Sequence, residues 1–195
     1  MAFVYCVRCN FNDPGREADW NDWYSGPKLA QMLRKPLFLS GQRFKATGLN
    51  TARQYLALWT VDSPKAFETE EYTSDWGFFE WAPYITDWNR DLYGPPAGDP
   101  STMFAAGEGD ALYLISFEDL SSEEAEAVLA RVEGDRPGMT WLRAVGLLDQ
   151  HSPILGLRLL KADDPRPQML GEPKIQETIF ESISHCARPD DAEAQ

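Results

Sequence analysis

Histidine is the scarcest of the catalytically useful residues in this chain. Only His151 and His185 occur among 195 residues, which excludes a metal site built from several histidines of one polypeptide. Cysteine is scarce too. Cys6, Cys9 and Cys186 are an odd number, too few for a disulfide framework and in keeping with a reducing compartment. The spacing Cys6-Val7-Arg8-Cys9 resembles a metal or redox pair. In an extended strand, however, residues three apart point to opposite faces, and no second pair completes a zinc site. No apolar run approaches the roughly 18 residues that cross a bilayer, and the N-terminus lacks the basic flank and cleavage pattern of a signal peptide. A cytoplasmic location is expected. Positive charge is thin and scattered: 18 Lys and Arg face 31 Asp and Glu, for a net charge of −13 and a sequence pI near 4.5. Such a surface repels phosphate backbones and anionic bilayers, which argues against nucleic acid and membranes as partners. Glycine-rich phosphate loops and a Gly-x-Ser-x-Gly turn are both missing, which argues against nucleotide-dependent chemistry and a serine nucleophile.

Aromatic residues, by contrast, are abundant. They make up 12% of a chain that is 43% hydrophobic, and seven are tryptophans. Trp20, Trp23, Trp59, Trp76, Trp81 and Trp88 lie in the first half, leaving Trp141 alone in the second.

The first half reads β-α-β-β-α-β. A strand over Phe3 to Cys9 precedes Asn12-Asp13-Pro14-Gly15, which suits a helix cap with Pro in the first turn. The helix then runs from about Arg16 to Arg34, with a kink or restart at Gly26-Pro27. Strands follow over Phe38 to Ala46 and Tyr55 to Val61, joined at Thr47-Gly48-Leu49-Asn50. A short helix from Ser63-Pro64 to about Glu71 and a strand near Tyr84 to Trp88 complete the unit. The Gly/Pro-dense stretch from Tyr93 to Pro100 reads as a linker.

The second half follows the same plan. Strand candidates are Ala111 to Phe117, Met139 to Leu148, Ile154 to Lys161 and Ile175 to Ile183. Ser121-Ser122-Glu123-Glu124 is a capping box that opens a helix with Ala125, Val128, Leu129 and Val132 on one face. Pro36, Arg43 and Gly48 correspond in order to Pro137, Arg143 and Gly146, and Val61-Asp62-Ser63-Pro64 to Ala162-Asp163-Asp164-Pro165. These matches predict a degenerate internal duplication of roughly 90 residues. The expected division is a pocket-forming repeat over 1–95, a linker over 96–109, a degenerate repeat over 110–187 and a disordered tail over 188–195.

Three segments carry a family resemblance: Trp20-Asn21-Asp22-Trp23-Tyr24, Pro36 followed by Gln42-Arg43-Phe44, and the run from Tyr55 to Pro64. Together they resemble the EthD-like branch of the dimeric α+β barrel superfamily over about residues 3–93, and more weakly over 111–184. The resemblance implies an α+β fold: two ferredoxin-like repeats forming an internally duplicated, pseudo-dimeric antiparallel barrel within one chain. Members include cofactor-independent cyclases, isomerases, lyases and oxygenases of small, often aromatic molecules, besides haem-degrading and decolorising enzymes. Many relatives carry a Trp-Tyr-x-x-x-His pattern on the first helix. Aligning Trp23-Tyr24 with it puts Lys28 at the histidine position.

The candidate site is an aromatic and ionic constellation. Trp59, Tyr72, Trp76, Trp81 and Trp88 are expected to form a wall that binds flat, apolar ligands, although core packing competes for each ring. Arg8, Lys28 and Arg43 are candidates to bind a carboxylate or to stabilise an enolate or phenolate. For Arg43 the competing role is a structural pair with acidic neighbours across the sheet. Tyr24 and Tyr72 are candidate proton donors. Asp75 is a candidate base, as is His151, whose competing role is an exposed turn residue. The expected function is a cofactor-independent lyase or isomerase acting on a small aromatic metabolite, with neither cofactor nor metal and with homodimerisation compatible. Two alternatives are a non-catalytic protein that binds an aromatic ligand, and a haem enzyme with His151 or His185 as axial ligand.

Overall fold

The computed structural model describes residues 1–48, 51–146 and 148–193. Among the described residues, eight strands form one antiparallel sheet: β1 (Phe3–Phe11), β2 (Phe38–Ala46), β3 (Tyr55–Val61), β4 (Ile85–Tyr93), β5 (Ala111–Ser116), β6 (Thr140–Arg143), β7 (Ile154–Leu160) and β8 (Gln176–Ser182). Their spatial order is β4-β1-β3-β2-β8-β5-β7-β6, so each half places its strands fourth, first, third, second. The halves join where β2 pairs with β8 through Phe44↔Ser182 and Ala46↔Phe180. The sheet curls until its edge strands meet. Tyr93 bridges Ala144, the Gly94 N–H donates to the Arg143 carbonyl at 2.8 Å, and the Val145 N–H donates to the Leu92 carbonyl at 2.7 Å.

Strand alternation then sorts the side chains. On β1, Val4 and Cys6 point into the barrel with Phe44, Leu56, Leu114 and Leu157. Tyr5, Val7 and Cys9 point outward to the helices. The two cysteines therefore lie in different cores, as their spacing in a strand requires. Burial pushes both thiols up to about 12, so neither supplies a thiolate at neutral pH.

The first helix is a rod of α1 (Glu17–Trp23), a π-helical turn over Tyr24–Lys28 and α2 (Leu29–Leu33). No side chain caps its start; Asp13 instead accepts from the Gly15 N–H in the preceding turn. Pro27 falls inside the π turn, so the rod continues where the sequence predicts a kink or restart. A proline removes one N–H and crowds the preceding turn, and the wider i→i+5 turn accommodates both. The predicted Ser63–Glu71 helix is a 3₁₀ turn over Pro64–Glu68 followed by α3 (Glu70–Thr73), and a second 3₁₀ turn covers Phe79–Tyr84.

Residues 96–109 are packed against the barrel. Asp99 caps α4 (Pro100–Met103), Phe104 and Ala106 join the barrel core, and Gln42 exchanges two hydrogen bonds with the Ala106 backbone. In the second half α5 (Ser122–Val132) has both bonds of the Ser121/Glu124 capping box and buries the four predicted apolar residues. The tail differs from its expected disorder. Residues Pro189–Glu193 form α6, with Ala192 buried and its carbonyl accepting from Arg34 at 2.7 Å. A polar composition could not reveal that docking contact. Of the predicted β2–β3 connection, Leu49 and Asn50 lie outside the described residues. Among the described residues no helix is long and apolar enough to cross a membrane.

Candidate active site

The first helix packs on the outer face of the sheet, with α2 against β2, and a slot lies between the helix, the sheet and the segment that follows β3. The strands contribute Tyr5, Val7, Trp59 and Trp88, the first helix contributes Tyr24, Lys28 and Met32, and α3 with the loop after it closes the slot with Tyr72, Trp76 and Phe78. Tyr5 and Val7 share this face through the period of two in β1. Trp59 lies over Gly41, its register partner on β2, where any Cβ would overlap the indole ring. The void is about 30 Å³, room for one or two water molecules, so a ligand ring enters only if the loop bearing Trp76 and Phe78 gives way. That loop turns at Gly77, whose φ of +109° suits glycine.

One wall is a stack. Trp76 lies parallel to Tyr72 at 6.2 Å and nearly parallel to Trp88 at 5.9 Å, with the Arg90 guanidinium 4.3 Å from the Trp76 ring centre. Arg90 Nη1 also donates to the Tyr72 hydroxyl at 3.0 Å, and that hydroxyl lies 3.2 Å from the Tyr5 hydroxyl. Because Arg90 is only a donor, the Tyr72 proton is directed to Tyr5 or into the slot. Burial raises the pKa of Tyr5 and Tyr24, which keeps both phenols protonated donors.

Lys28 brings an amine into the slot. Its residue is 4% exposed, its Nζ donates to Gln31 Oε1 at 2.8 Å, and Nζ lies 4.8 Å from the centre of the Phe79 ring. Burial, reinforced by the Lys35 charge and opposed by Asp75, lowers its pKa to about 8. Gln31 Nε2 in turn donates to Asp75 Oδ2 at 2.6 Å, and Lys35 Nζ is 3.9 Å from the same carboxylate. A neutral amide thus separates the amine from the acid. A direct carboxylate contact would hold the ammonium charged, whereas this arrangement leaves a free amine accessible near neutral pH.

The structure brings Tyr24, Lys28, Trp59, Tyr72, Trp76 and Trp88 together, and places five other candidates elsewhere. Arg8 points into the barrel, since it shares the strand face of Val4 and Cys6. There it pairs with Glu118 at 2.6 Å and approaches Asp91 at 3.9 Å. Arg43 lies beneath the helix, 4.3 Å from the Tyr24 ring centre and 4.6 Å from that of Trp20, and donates to Asn21 O and Ser25 Oγ. Among the described residues it has no acidic partner across the sheet, and burial lowers its pKa to about 10. Asp75 is half-exposed and reaches Lys28 only through Gln31. Trp81 packs against Phe11 and Trp23 in the core. His151 belongs to the Arg8 cluster, 2.9 Å from Arg53 Nη2 and 3.3 Å from Glu118 Oε2.

Tyr5 and Arg90 were absent from the sequence-predicted set. The signal for each was alternation: Tyr5 precedes Val7 by two on β1, and Arg90 follows Trp88 by two on β4. Haem does not fit the slot. Neither histidine is among its lining residues, so the slot offers no imidazole to the iron; His185 lies beside Leu29 and Ala187 in a separate cleft.

The architecture is an antiparallel barrel with outer helices and a group of aromatic rings beneath one of them. No protein-family model and no curated protein matches the chain. Its fold is similar to that of an anthrone oxidase-like protein, with a TM-score of 0.59 and 11% identity over 96% of this chain and 93% of that one. It is also similar to two proteins each described as a "putative monooxygenase". The one from Lactobacillus acidophilus has a TM-score of 0.52 and 9% identity, covering 97% of both chains. The one from Fusobacterium nucleatum has a TM-score of 0.54 and 6% identity, covering 96% of this chain and 94% of that one. These likenesses show a shared fold, an antiparallel sheet curled into an α+β barrel.

Proposed function

We propose that this protein is an enzyme that removes a proton from a planar aromatic carbonyl compound held in the slot, with Lys28 as general base. The observation that carries the proposal is a buried amine among aromatic faces, hydrogen-bonded to a neutral amide and lowered to about 8. The rings supply stacking area for a flat ligand. The Tyr5 and Tyr72 hydroxyls, backed by Arg90, receive the oxygen on which negative charge develops. Lys28 takes the proton made acidic by the carbonyl. Return of a proton at another atom makes the reaction an isomerisation; expulsion of a leaving group makes it a lyase reaction. The shared strand order of the halves, each with a helix after its first strand, supports an origin by duplication in which one copy kept the site.

Anthrone is a suitable first probe, because the name of one protein of this fold refers to it and its methylene is acidified by a carbonyl across the ring. Exchange of that methylene proton for deuterium, followed by NMR without oxygen, measures proton abstraction directly; 2-indanone serves as a smaller second probe. Wild type is expected to accelerate exchange at least about 100-fold over Lys28→Met, with the rate rising with pH and levelling above about 8. Equal exchange of both probes by wild type and Lys28→Met contradicts the proposal.

A further inference from the structure

We infer that Lys28 is also a nucleophile: the slot is a carbonyl-capture site in which its amine condenses with an aromatic aldehyde or ketone to form an imine. The inference rests on the preceding proposal for the amine and the class of ligand, but not on proton abstraction. The chain has six lysines, and Lys28 differs from the others in its surroundings. Lys45 and Lys161 each pair with a carboxylate at 2.9 Å, and Lys35 holds the Glu71 carbonyl and approaches Asp75. Among the described residues no carboxylate lies within 4.0 Å of Lys28 Nζ, whose hydrogen bond goes to the neutral oxygen of Gln31. An amine becomes a nucleophile when desolvation, or a neighbouring cation, favours its unprotonated form. Both influences act here: burial among the aromatic walls desolvates the amine, and Lys35 supplies the second positive charge.

The same slot contains groups suited to the electrophile. Its rings fit an aromatic carbonyl compound, and the Tyr72 hydroxyl, fixed by Arg90, is a donor for the carbonyl oxygen. In the addition step the Nζ lone pair forms the C–N bond while the carbonyl π pair moves to oxygen, which gains a proton as nitrogen loses one. The resulting carbinolamine hydroxyl then leaves with a second proton as water, and the nitrogen lone pair closes the C=N bond. The sum is amine plus carbonyl to imine plus water, with no oxidant or reductant.

Reductive trapping tests this. The whole protein is incubated with 2-naphthaldehyde and sodium cyanoborohydride, and labelled lysines are identified by intact mass and peptide mapping. The expected result is one adduct, on Lys28, forming at least about tenfold faster than on any other lysine, with half-maximal labelling near pH 8. Lys28→Arg, which keeps the charge, is expected to lose that adduct, whereas Lys35→Arg retains it on Lys28. Labelling spread over exposed lysines such as Lys65, or unchanged fast labelling in Lys28→Arg, overturns the inference. Proton exchange of anthrone without any Lys28 adduct overturns it while leaving the base role intact. A Lys28 adduct without exchange supports it and counts against the base role.

Discussion

The two helix-covered faces of the barrel share a strand order but are filled differently. Under the first helix lie flat rings, including Trp20, Trp59, Tyr24, Tyr72 and Trp81, with two cationic side chains buried among them, Lys28 and Arg43. Under α5 lie mainly aliphatic side chains, with Ala125, Val128, Leu129 and Val132 meeting Ile115, Ile154 and Leu160. Branched aliphatics interlock and leave little space. Rigid plates stack and meet edge to edge, leaving slots, and their negative faces tolerate a cation that an aliphatic core would not. One local device recurs on both faces: Trp59 lies over Gly41 and Trp141 over Gly156, each across one strand pairing. The difference between the faces therefore lies in what surrounds that pair.

Removing each tryptophan is the strongest test of this contrast. Trp59→Ala is expected to lower stability by about 3–5 kcal/mol in urea unfolding, and Trp141→Ala, where the ring is only partly buried, by less. Trp59→Ala should also change the capture of 2-naphthaldehyde, and Trp141→Ala should leave it unaltered. Equal effects on capture would erase the proposed division of labour. Filling the glycine positions is the milder version. Gly41→Ala and Gly156→Ala place a methyl group against an indole ring, at an expected cost of about 1–3 kcal/mol each, measured by the same unfolding curves. The smallest effect is electrostatic. In Gln31→Glu a carboxylate replaces the neutral partner of Lys28, favouring the ammonium form. The pH–rate profile for anthrone exchange is expected to move upward by about one pH unit, with slower exchange at pH 7 and little loss above the new midpoint.

Much of the scaffold was legible in the sequence because its signals are local. The capping box at Ser121 and the apolar spacing of α5 each depend on a few adjacent residues, and both are present. Alternation also placed Cys6 and Cys9 on opposite faces. The clustering of six tryptophans before residue 90 pointed to the ring-rich half, and three of them, Trp59, Trp76 and Trp88, line the slot. The misplaced candidates depended on tertiary contacts. Arg8 was assigned to the pocket by its charge, although its position in β1 turns it into the barrel towards Glu118. Arg43 is held by ring faces and backbone, partners that no charge pattern reveals. Asp75 required knowledge of Gln31, and the α6 docking required knowledge of Arg34. Arg90 was passed over because it lies two residues beyond the strand end expected near Trp88, whereas β4 continues to Tyr93.

A depressed lysine pKa also fixes the sign of its effect on stability. Between about 8 and the ordinary 10.5, the unfolded chain binds the Lys28 proton and the folded chain does not, so stability rises with pH across that window and its penalty is complete below it. The most direct measurement of the central claim is the titration of Lys28 itself, followed in ¹⁵N-lysine-labelled protein by the Nζ chemical shift and assigned by its loss in Lys28→Arg. A midpoint near 8, well separated from the other lysines, is the predicted result. A midpoint among the exposed lysines, near 10.4, would contradict the account, because Lys28 would then be neither the base nor the nucleophile of this slot.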